Sequence, residues 1–140
     1  MHENFFHNVK VYYEDTDAGG VVYYANYLKF LERARTEALV SLGFSNKKIK
    51  DNFGALIIVK SCNIDYKKSA HLEDELIIRS FIKSFSKTSF FMKQFISHED
   101  NVIVEATVHL VFVNSLGKPV KIPNIIFENF RPFFCDSIKN

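Results

Sequence analysis

The order of predicted elements indicates an α+β fold, in which a curved antiparallel sheet wraps around one long helix. Three observations predict it. Residues 25–42 carry apolar side chains at helical spacing. From residue 55 onward, apolar residues recur at every second position in four successive stretches, which is typical of strands with one buried face. The segments between these stretches are short and polar, as hairpin connections require.

The first strand and the long helix are separated by a turn-forming segment. We predict a strand over 5–13, with Tyr13 on its apolar face. Aspartates and adjacent glycines between 14 and 20 break this strand. The helix then runs over 25–42, and Gly43 stands where a glycine commonly ends a helix.

A short helix and four strands follow. Ser45 is placed to cap a helix that ends near Gly54. The next strand is interrupted at Lys60, and its predicted inward face comprises Leu56, Ile58, Cys62, Ile64 and Tyr66. The inward residues of the other three strands lie in 76–82, 90–96 and 102–112. We expect each strand to pair with the next through a short hairpin. Pro123 is expected to open a last helix through Phe130.

The long helix is the only predicted element that can cover one face of such a sheet, because 18 residues span about 27 Å. A sheet wrapped around one helix is the hotdog architecture. Its edge strands would be exposed, and pairing with a second copy is a common solution. We therefore predict a single domain over 1–140 that forms a homo-oligomer.

Composition excludes several classes of protein. The formal net charge is +2, and 47% hydrophobic against 24% charged residues is unlike a disordered chain. The 15 Phe and 6 Tyr predict an aromatic-rich core or a pocket for an apolar ligand. The lysines are scattered along the sequence and form no basic cluster, so nucleic-acid binding is a disfavoured function.

The predicted location is cytoplasmic, without membrane insertion. No run of about 20 apolar residues is present to form a membrane helix. The N-terminal residues lack the pattern of a signal peptide. Cys62 and Cys135 are interpreted as small hydrophobic residues in a reducing compartment.

Common catalytic and metal-binding motifs are absent from the sequence. It contains no glycine-rich phosphate loop, no nucleophile-elbow serine, no zinc-protease helix motif and no Cys-x-x-Cys. The five histidines lie without metal-ligand spacing, and His109 is interpreted as an ordinary strand residue. We expect neither a metal nor a cofactor.

The segment 13–24 reads YEDTDAGGVVYY, with three carboxylates and two glycines before the long helix. One interpretation is structural: Asp15 and Thr16 form a turn, and the glycines supply positive φ angles. The other is catalytic. The unpaired N–H groups of a helix start polarise a carbonyl, and a nearby carboxylate attacks the carbonyl carbon or activates a water. Composition leaves both interpretations open.

The runs VYYEDTDAGGVVY at 11–23, ANYL at 25–28 and ERARTE at 32–37 resemble the YbgC-like branch of the 4-hydroxybenzoyl-CoA thioesterase family. The likeness continues through 65–74 and through KTS at 87–89. It implies a hotdog fold that assembles as dimers and often as tetramers. It also implies hydrolysis of acyl-coenzyme A (acyl-CoA) thioesters without a metal.

The resemblance also implies roles for individual residues. Asp17 matches the catalytic carboxylate, which acts as nucleophile or as general base. Tyr13 is implied to line the acyl pocket, and Gly20 and Val21 to contact the substrate. Tyr24 departs from this branch, which usually has an acid–base His there. It resembles instead the 4-hydroxybenzoyl-CoA thioesterase itself, in which the backbone N–H at this helix start polarises the thioester carbonyl.

Coenzyme A carries phosphates. The resemblance implies that they are bound by Lys60, Lys87 and Ser89. His71 replaces an Arg common among relatives, which would weaken one phosphate contact. Arg35 is expected only to form an ion pair along the helix.

Two classes of function are compatible with these residues. The first is an acyl-CoA thioesterase. The second is a non-catalytic scaffold that binds acyl-CoA or acyl carrier protein, linked to lipid synthesis or the cell envelope, and Tyr24 favours it. Product release from a panel of acyl-CoAs would discriminate between them.

Overall fold

The computed structural model describes residues 2–135 and shows an α+β fold with one five-stranded antiparallel sheet, as predicted. In chain order the elements are β1 (Phe5–Lys10), α1 (Tyr24–Ser41), α2 (Asn46–Phe53), β2 (Leu56–Tyr66), β3 (Glu75–Phe85), β4 (Ser89–His98), β5 (Asn101–Val113) and α3 (Asn124–Phe130). Short 3₁₀ turns cover Tyr13–Asp15 and Arg131–Phe133. Within residues 2–135, no helix has the length and apolar content needed to cross a membrane.

The strand order is β1-β3-β4-β5-β2, so β2 lies at an edge beside β5. The prediction that β2 pairs with β3 through a hairpin is therefore wrong. Residues 67–74 instead cross from one edge of the sheet to the strand next to the other edge. This crossover brings the turn at 70–74 against the segment that precedes α1.

The two faces of β2 are also assigned differently from the prediction. The register shifts between Val59 and Ser61, which places a bulge at Lys60. An extra residue reverses the alternation of side chains. Leu56 and Ile58 therefore lie on the outer face, and the prediction that they face inward is wrong. The inward residues are Ile57, Val59, Cys62, Ile64 and Tyr66.

Helix α1 packs on the inner face of the sheet and begins and ends one residue earlier than predicted. Its first half contributes Tyr27, Phe30, Leu31 and Ala34 to a core cluster with residues of β3, β4 and β5. Its last turns contribute Ala38 and Leu39 to a second cluster that includes α2 and α3. The start of the helix is thus held against one end of the sheet.

The predicted limits of the short helices agree with their caps. The Ser45 side chain accepts a hydrogen bond from the Lys48 N–H at 3.1 Å. Gly54 ends α2 in the left-handed conformation, with φ of 64°. Pro123 directly precedes α3. Capping depends on adjacent residues, which is why the sequence predicts it well.

Two predictions about single residues are wrong. The first strand ends at Lys10, and Tyr13 lies in a 3₁₀ turn with 80% of its surface exposed. Cys62 was interpreted as a small hydrophobic residue, but its side chain is exposed in this chain. It faces inward from β2, an edge strand whose inward face is only partly covered.

Candidate active site

Asp17 lies in a tight turn that presents its carboxylate to solvent. Its backbone N–H donates to the Val21 carbonyl at 2.9 Å, and its own carbonyl accepts from Gly20 at 3.0 Å. Carboxylate Oδ1 accepts the Gly19 N–H at 2.9 Å. Oδ2 has no hydrogen-bond donor among residues 2–135. One carboxylate oxygen is therefore held in place, and the other is available to a substrate or a water.

Asp15 has a structural role in the same segment. Its Oδ2 accepts the Tyr12 N–H at 2.9 Å, and its carbonyl accepts both the Tyr23 N–H at 3.1 Å and the Asn26 Nδ2 at 2.8 Å. These bonds join the turn around Asp17 to the first residues of α1. The sequence analysis assigned no role to Asn26. Its place in the ANYL run at 25–28, which resembles the family, was the one feature that could have indicated a role.

The start of α1 supplies hydrogen-bond donors beside this turn. Tyr23 precedes the helix, and its carbonyl accepts the Asn26 N–H at 2.9 Å. In the described part of the chain, the N–H groups of Tyr24 and Ala25 have no acceptor. Such groups carry the partial positive charge of a helix N-terminus, which favours a developing oxyanion.

The turn at 70–74 is hydrogen-bonded to the segment around Asp17. Its Ala70 carbonyl accepts the Val22 N–H at 2.9 Å, and Leu72 donates to the Gly20 carbonyl at 3.1 Å. The Ala70 N–H donates to the buried Tyr27 hydroxyl at 2.9 Å, and the Asp74 carboxylate accepts the His71 N–H at 2.8 Å. These contacts fix the position of the turn around Asp17 relative to α1.

Tyr66, at the end of β2, contributes an aromatic surface next to the helix start. Its ring centroid lies 5.1 Å from that of Tyr24 and 5.6 Å from that of Tyr27. Burial raises the pKa of the Tyr66 phenol, and the neighbouring Cys62 raises it further. Tyr66 was predicted only as an inward strand residue, because its contact with α1 depends on the packing of distant segments.

The thioesterase-like superfamily matches residues 11–130. The chain belongs to this family. The acyl-CoA thioester hydrolase YbgC of Escherichia coli is 41% identical over 125 residues, which make up 88% of this chain and 92% of that protein. The acyl-CoA thioesterase YbgC of Haemophilus influenzae is 38% identical over 125 residues, 88% of this chain and 91% of that protein.

A solved structure of a probable thioesterase from Bartonella henselae is also similar. It is 33% identical, with a TM-score of 0.83, and the match covers 86% of this chain and all of that one. The predicted membership in a thioesterase family is thus confirmed. The names of these relatives also give the class of enzyme that the sequence predicts, an acyl-CoA thioesterase. The similarity supports the predicted hotdog fold.

Three further residues of the family motif lie around the same turn. Gly20 adopts a positive φ of 79°, and Val21 forms a bridge to His71. Tyr13 is exposed to solvent, and its carbonyl accepts the Thr16 hydroxyl at 2.8 Å and the Thr16 N–H at 3.1 Å. In the single chain, the cavities beside α1 are lined by residues other than Tyr13.

Replacing Gly20 with Ala is expected to lower the free energy of unfolding by about 1–2 kcal/mol, because its φ lies in the left-handed region. Gly19→Ala is the matched control. Gly19 lacks a positive φ, and an added Cβ would lie 3.4 Å from Asp17 Oδ1, so we expect a change within about 0.5 kcal/mol. Urea unfolding measures both. Equal losses would contradict the conformational argument.

The predicted phosphate-binding residues lie far from Asp17 in the same chain. Lys87 and Ser89 belong to the β3–β4 hairpin, at the end of the sheet where β2 begins. Asp17 lies at the other end, because the residues that follow it, Gly20 and Val22, bond to residues 70–72, which come after the end of β2 at Tyr66. Ten residue steps along β2 separate the two ends, about 33 Å. Ser89 is 8% exposed and bonds to Ser86 and His109, and Lys60 lies midway along β2.

Arg35 does not form the ion pair that was predicted along α1. Its Nη1 donates to Gln94 Oε1 at 3.0 Å, and within residues 2–135 no carboxylate oxygen lies within salt-bridge distance. Gln94 is fully buried and donates to the Leu31 carbonyl and the Ser80 hydroxyl, both at 3.1 Å. Burial lowers the pKa of the Arg35 guanidinium. The helix-pair rule considers local neighbours only, and here a residue 59 positions away is the partner.

Proposed function

We propose that this protein hydrolyses acyl-CoA thioesters to a carboxylate and free coenzyme A. The observation that carries the proposal is the juxtaposition at Asp17. A solvent-facing carboxylate oxygen lies on a turn that is hydrogen-bonded to a helix start with unpaired N–H groups. The names of the relatives at 41% and 38% identity support the same activity.

The chemistry follows from the two groups. The thioester carbonyl oxygen accepts hydrogen bonds from the N–H groups at the start of α1, which stabilise the negative charge of the tetrahedral intermediate. Asp17 either attacks the carbonyl carbon, forming an anhydride that water then hydrolyses, or takes a proton from the attacking water. On either route the carbon–sulfur bond breaks, and coenzyme A leaves and ends as the thiol.

The assembly we propose is a dimer formed along β2. This strand is 11 residues long, and among residues 2–135 its one partner strand in the sheet is β5. Leu56, Ile58 and Val59 each expose 40–47% of their surface there. A long apolar edge is a template for pairing with another chain. A two-fold axis across β2 would extend the sheet into the second copy.

Such a dimer explains where Lys87 and Ser89 would act. A two-fold axis reverses the direction of the partner strand. The hairpin end of one copy then lies beside the Asp17 end of the other. Each site would combine the Asp17 turn of one copy with the phosphate-binding hairpin of the second, and Lys60 would lie within the interface. Association of dimers into tetramers, and the cytoplasmic location, stay predictions.

Release of free thiol from a panel of acyl-CoAs, followed with a thiol reagent, tests the function. We expect multiple turnovers with at least one acyl-CoA. Tight binding of acyl-CoA or acyl carrier protein with no thiol release would contradict the enzyme and favour the scaffold.

Tyr24→Phe is expected to retain turnover within about tenfold, or roughly 1.4 kcal/mol of barrier. The proposed oxyanion donor is the backbone N–H, and this change leaves it in place. Tyr24→His restores the group usual in the branch and is expected to add an acidic limb near pH 6.5 to the rate profile. Steady-state kinetics on the three proteins measure both effects. A thousandfold loss in a folded Tyr24→Phe protein would make the phenol the catalytic acid.

A further inference from the structure

Two consecutive residues in the first turn of α1 attach the helix to the loops beside it. Asn26 Nδ2 donates to the Asp15 carbonyl at 2.8 Å, in the same segment as Asp17. The Tyr27 hydroxyl accepts the Ala70 N–H at 2.9 Å, in the turn at 70–74. Successive side chains of a helix leave its axis about 100° apart, so the two attachments run in different directions.

The turn at 70–74 connects the second attachment to the catalytic segment. Ala70 donates its N–H to Tyr27, and its carbonyl accepts the Val22 N–H at 2.9 Å. Val21, the residue before Val22, accepts the Asp17 N–H at 2.9 Å with its carbonyl. The Tyr27 hydroxyl is therefore linked to the backbone of Asp17 by a short series of hydrogen bonds.

This second attachment lies inside the core. Tyr27, Ala70 and Val22 are all buried and belong to one core cluster. The Tyr27 ring packs edge-on against Phe30, with centroids 6.1 Å apart, and lies 5.6 Å from the Tyr66 ring. A phenylalanine at position 27 would keep these ring contacts but would leave the buried Ala70 N–H without its acceptor, which is costly away from water.

The Tyr27 phenol is suited to hold a position and not to exchange protons. Burial raises its pKa above the ordinary value of about 10; the Ala70 N–H lowers the pKa, and the nearby Tyr66 and Asp74 raise it. The net effect is a raised pKa, so the hydroxyl stays neutral at the pH values at which enzymes are usually assayed. Its contribution to the site is therefore geometric.

We propose that Asn26 and Tyr27 are positioning residues for thioester hydrolysis, which together fix the orientation of Asp17 relative to the N–H groups at the start of α1. The inference rests on the proposed function and adds the residues on which its geometry depends. One attachment fixes a distance, and a second in another direction also fixes an orientation. The carboxylate and the N–H groups must align on the same carbonyl, and a displacement of about 1 Å can cost about 10²-fold in rate.

Tyr27→Phe and Asn26→Ala each remove one attachment. We expect each to lower kcat by about 10–100-fold and to change KM by less than about threefold, because the lost contact does not involve the substrate. The pH profile of Tyr27→Phe should keep its shape, since the phenol does not titrate in that range. Steady-state kinetics at about pH 5–9 measure these effects, and thermal unfolding identifies the conditions in which each variant is folded.

The double variant Asn26→Ala/Tyr27→Phe separates positioning from stability. If one orientation needs both attachments, the loss of either removes it, and kcat of the double variant should lie within about threefold of the lower single variant. Independent contributions would multiply instead. Ser80→Ala is the matched control, because Ser80 is also buried and its hydroxyl accepts Gln94 Nε2 at 3.1 Å. We expect Ser80→Ala to lower the melting temperature as Tyr27→Phe does, with kcat within about threefold of the unaltered protein.

Three results would overturn the inference in distinguishable ways. An unchanged kcat in a folded Tyr27→Phe protein, or in Asn26→Ala where Tyr27→Phe does not fold, would remove the positioning role and leave the thioesterase in place. Losses that multiply in the double variant, or an equal loss of kcat in Ser80→Ala, would assign the two residues to general stability of the fold. Absence of thiol release by the unaltered protein with every acyl-CoA would contradict the proposed function, and this inference with it.

Discussion

Asp17→Asn is expected to lower kcat by about 10²–10⁴-fold while the fold is kept, the scale usual for loss of a positioned acid–base group. The amide oxygen of Asn can still accept the Gly19 N–H that holds Asp17 Oδ1 at 2.9 Å. The turn therefore persists, but the side chain can neither attack a carbonyl nor take a proton from water. Steady-state kinetics measure the loss, and thermal unfolding checks the fold.

Asp15→Asn is the matched control, since it makes the same chemical change two residues away. Asp15 uses its carboxylate to accept the Tyr12 N–H, and an amide oxygen can do the same. Its carbonyl, which binds Tyr23 and Asn26, is unaffected. We expect a far smaller loss of activity. Equal losses in the two variants would mean that this segment matters only as structure.

The parts of the fold that the sequence predicted well depend on local rules. The strands β3 to β5 show their buried faces through simple alternation, except at Val102, which was predicted to face inward but is 37% exposed next to a shift in register. Ser45 and Gly54 mark the ends of α2 through neighbouring atoms. The pairing of β2 with β5 depends on contacts between residues that are distant in the sequence, so no local pattern could predict it. The bulge at Lys60 then reversed the alternation on which the predicted faces of β2 relied.

The candidate site also has a part that local sequence predicts and a part that depends on distant contacts. A continuous motif predicted the segment around Asp17 and the start of α1. The residues that hold this segment come from elsewhere in the chain, because Ala70 bonds to Val22 and Tyr66 packs on Tyr24. Their roles become visible only once the crossover at 67–74 has been placed.

Ile58→Lys is expected to convert the proposed dimer into a 16.2 kDa monomer and to lower kcat/KM strongly. Ile58 is 43% exposed on the edge strand, and a lysine on an edge strand opposes its pairing with another chain. Each lost contact between a phosphate and the partner's hairpin should reduce kcat/KM by about tenfold to hundredfold. Sedimentation and steady-state kinetics at micromolar concentration measure the two effects.

Ile77→Lys is the matched control for this change. Ile77 is 50% exposed and lies in β3, away from the β2 edge. The same substitution there should leave the dimer and its activity intact. An unaltered protein that sediments as a monomer, or a fully active Ile58→Lys monomer, would contradict a site shared between two copies.

Mixing two impaired variants tests the shared site directly. In a mixed dimer, one copy carries Asp17→Asn and the other carries Lys87→Ala. One of its two sites would then be intact, with Asp17 from the Lys87→Ala copy and Lys87 from the Asp17→Asn copy. The other site would lack both groups. Equal mixing gives half mixed dimers, so recovery of about a quarter of the activity of the unaltered protein is expected after subunit exchange. If both groups served the same site within one chain, no mixture would exceed the average of its two components.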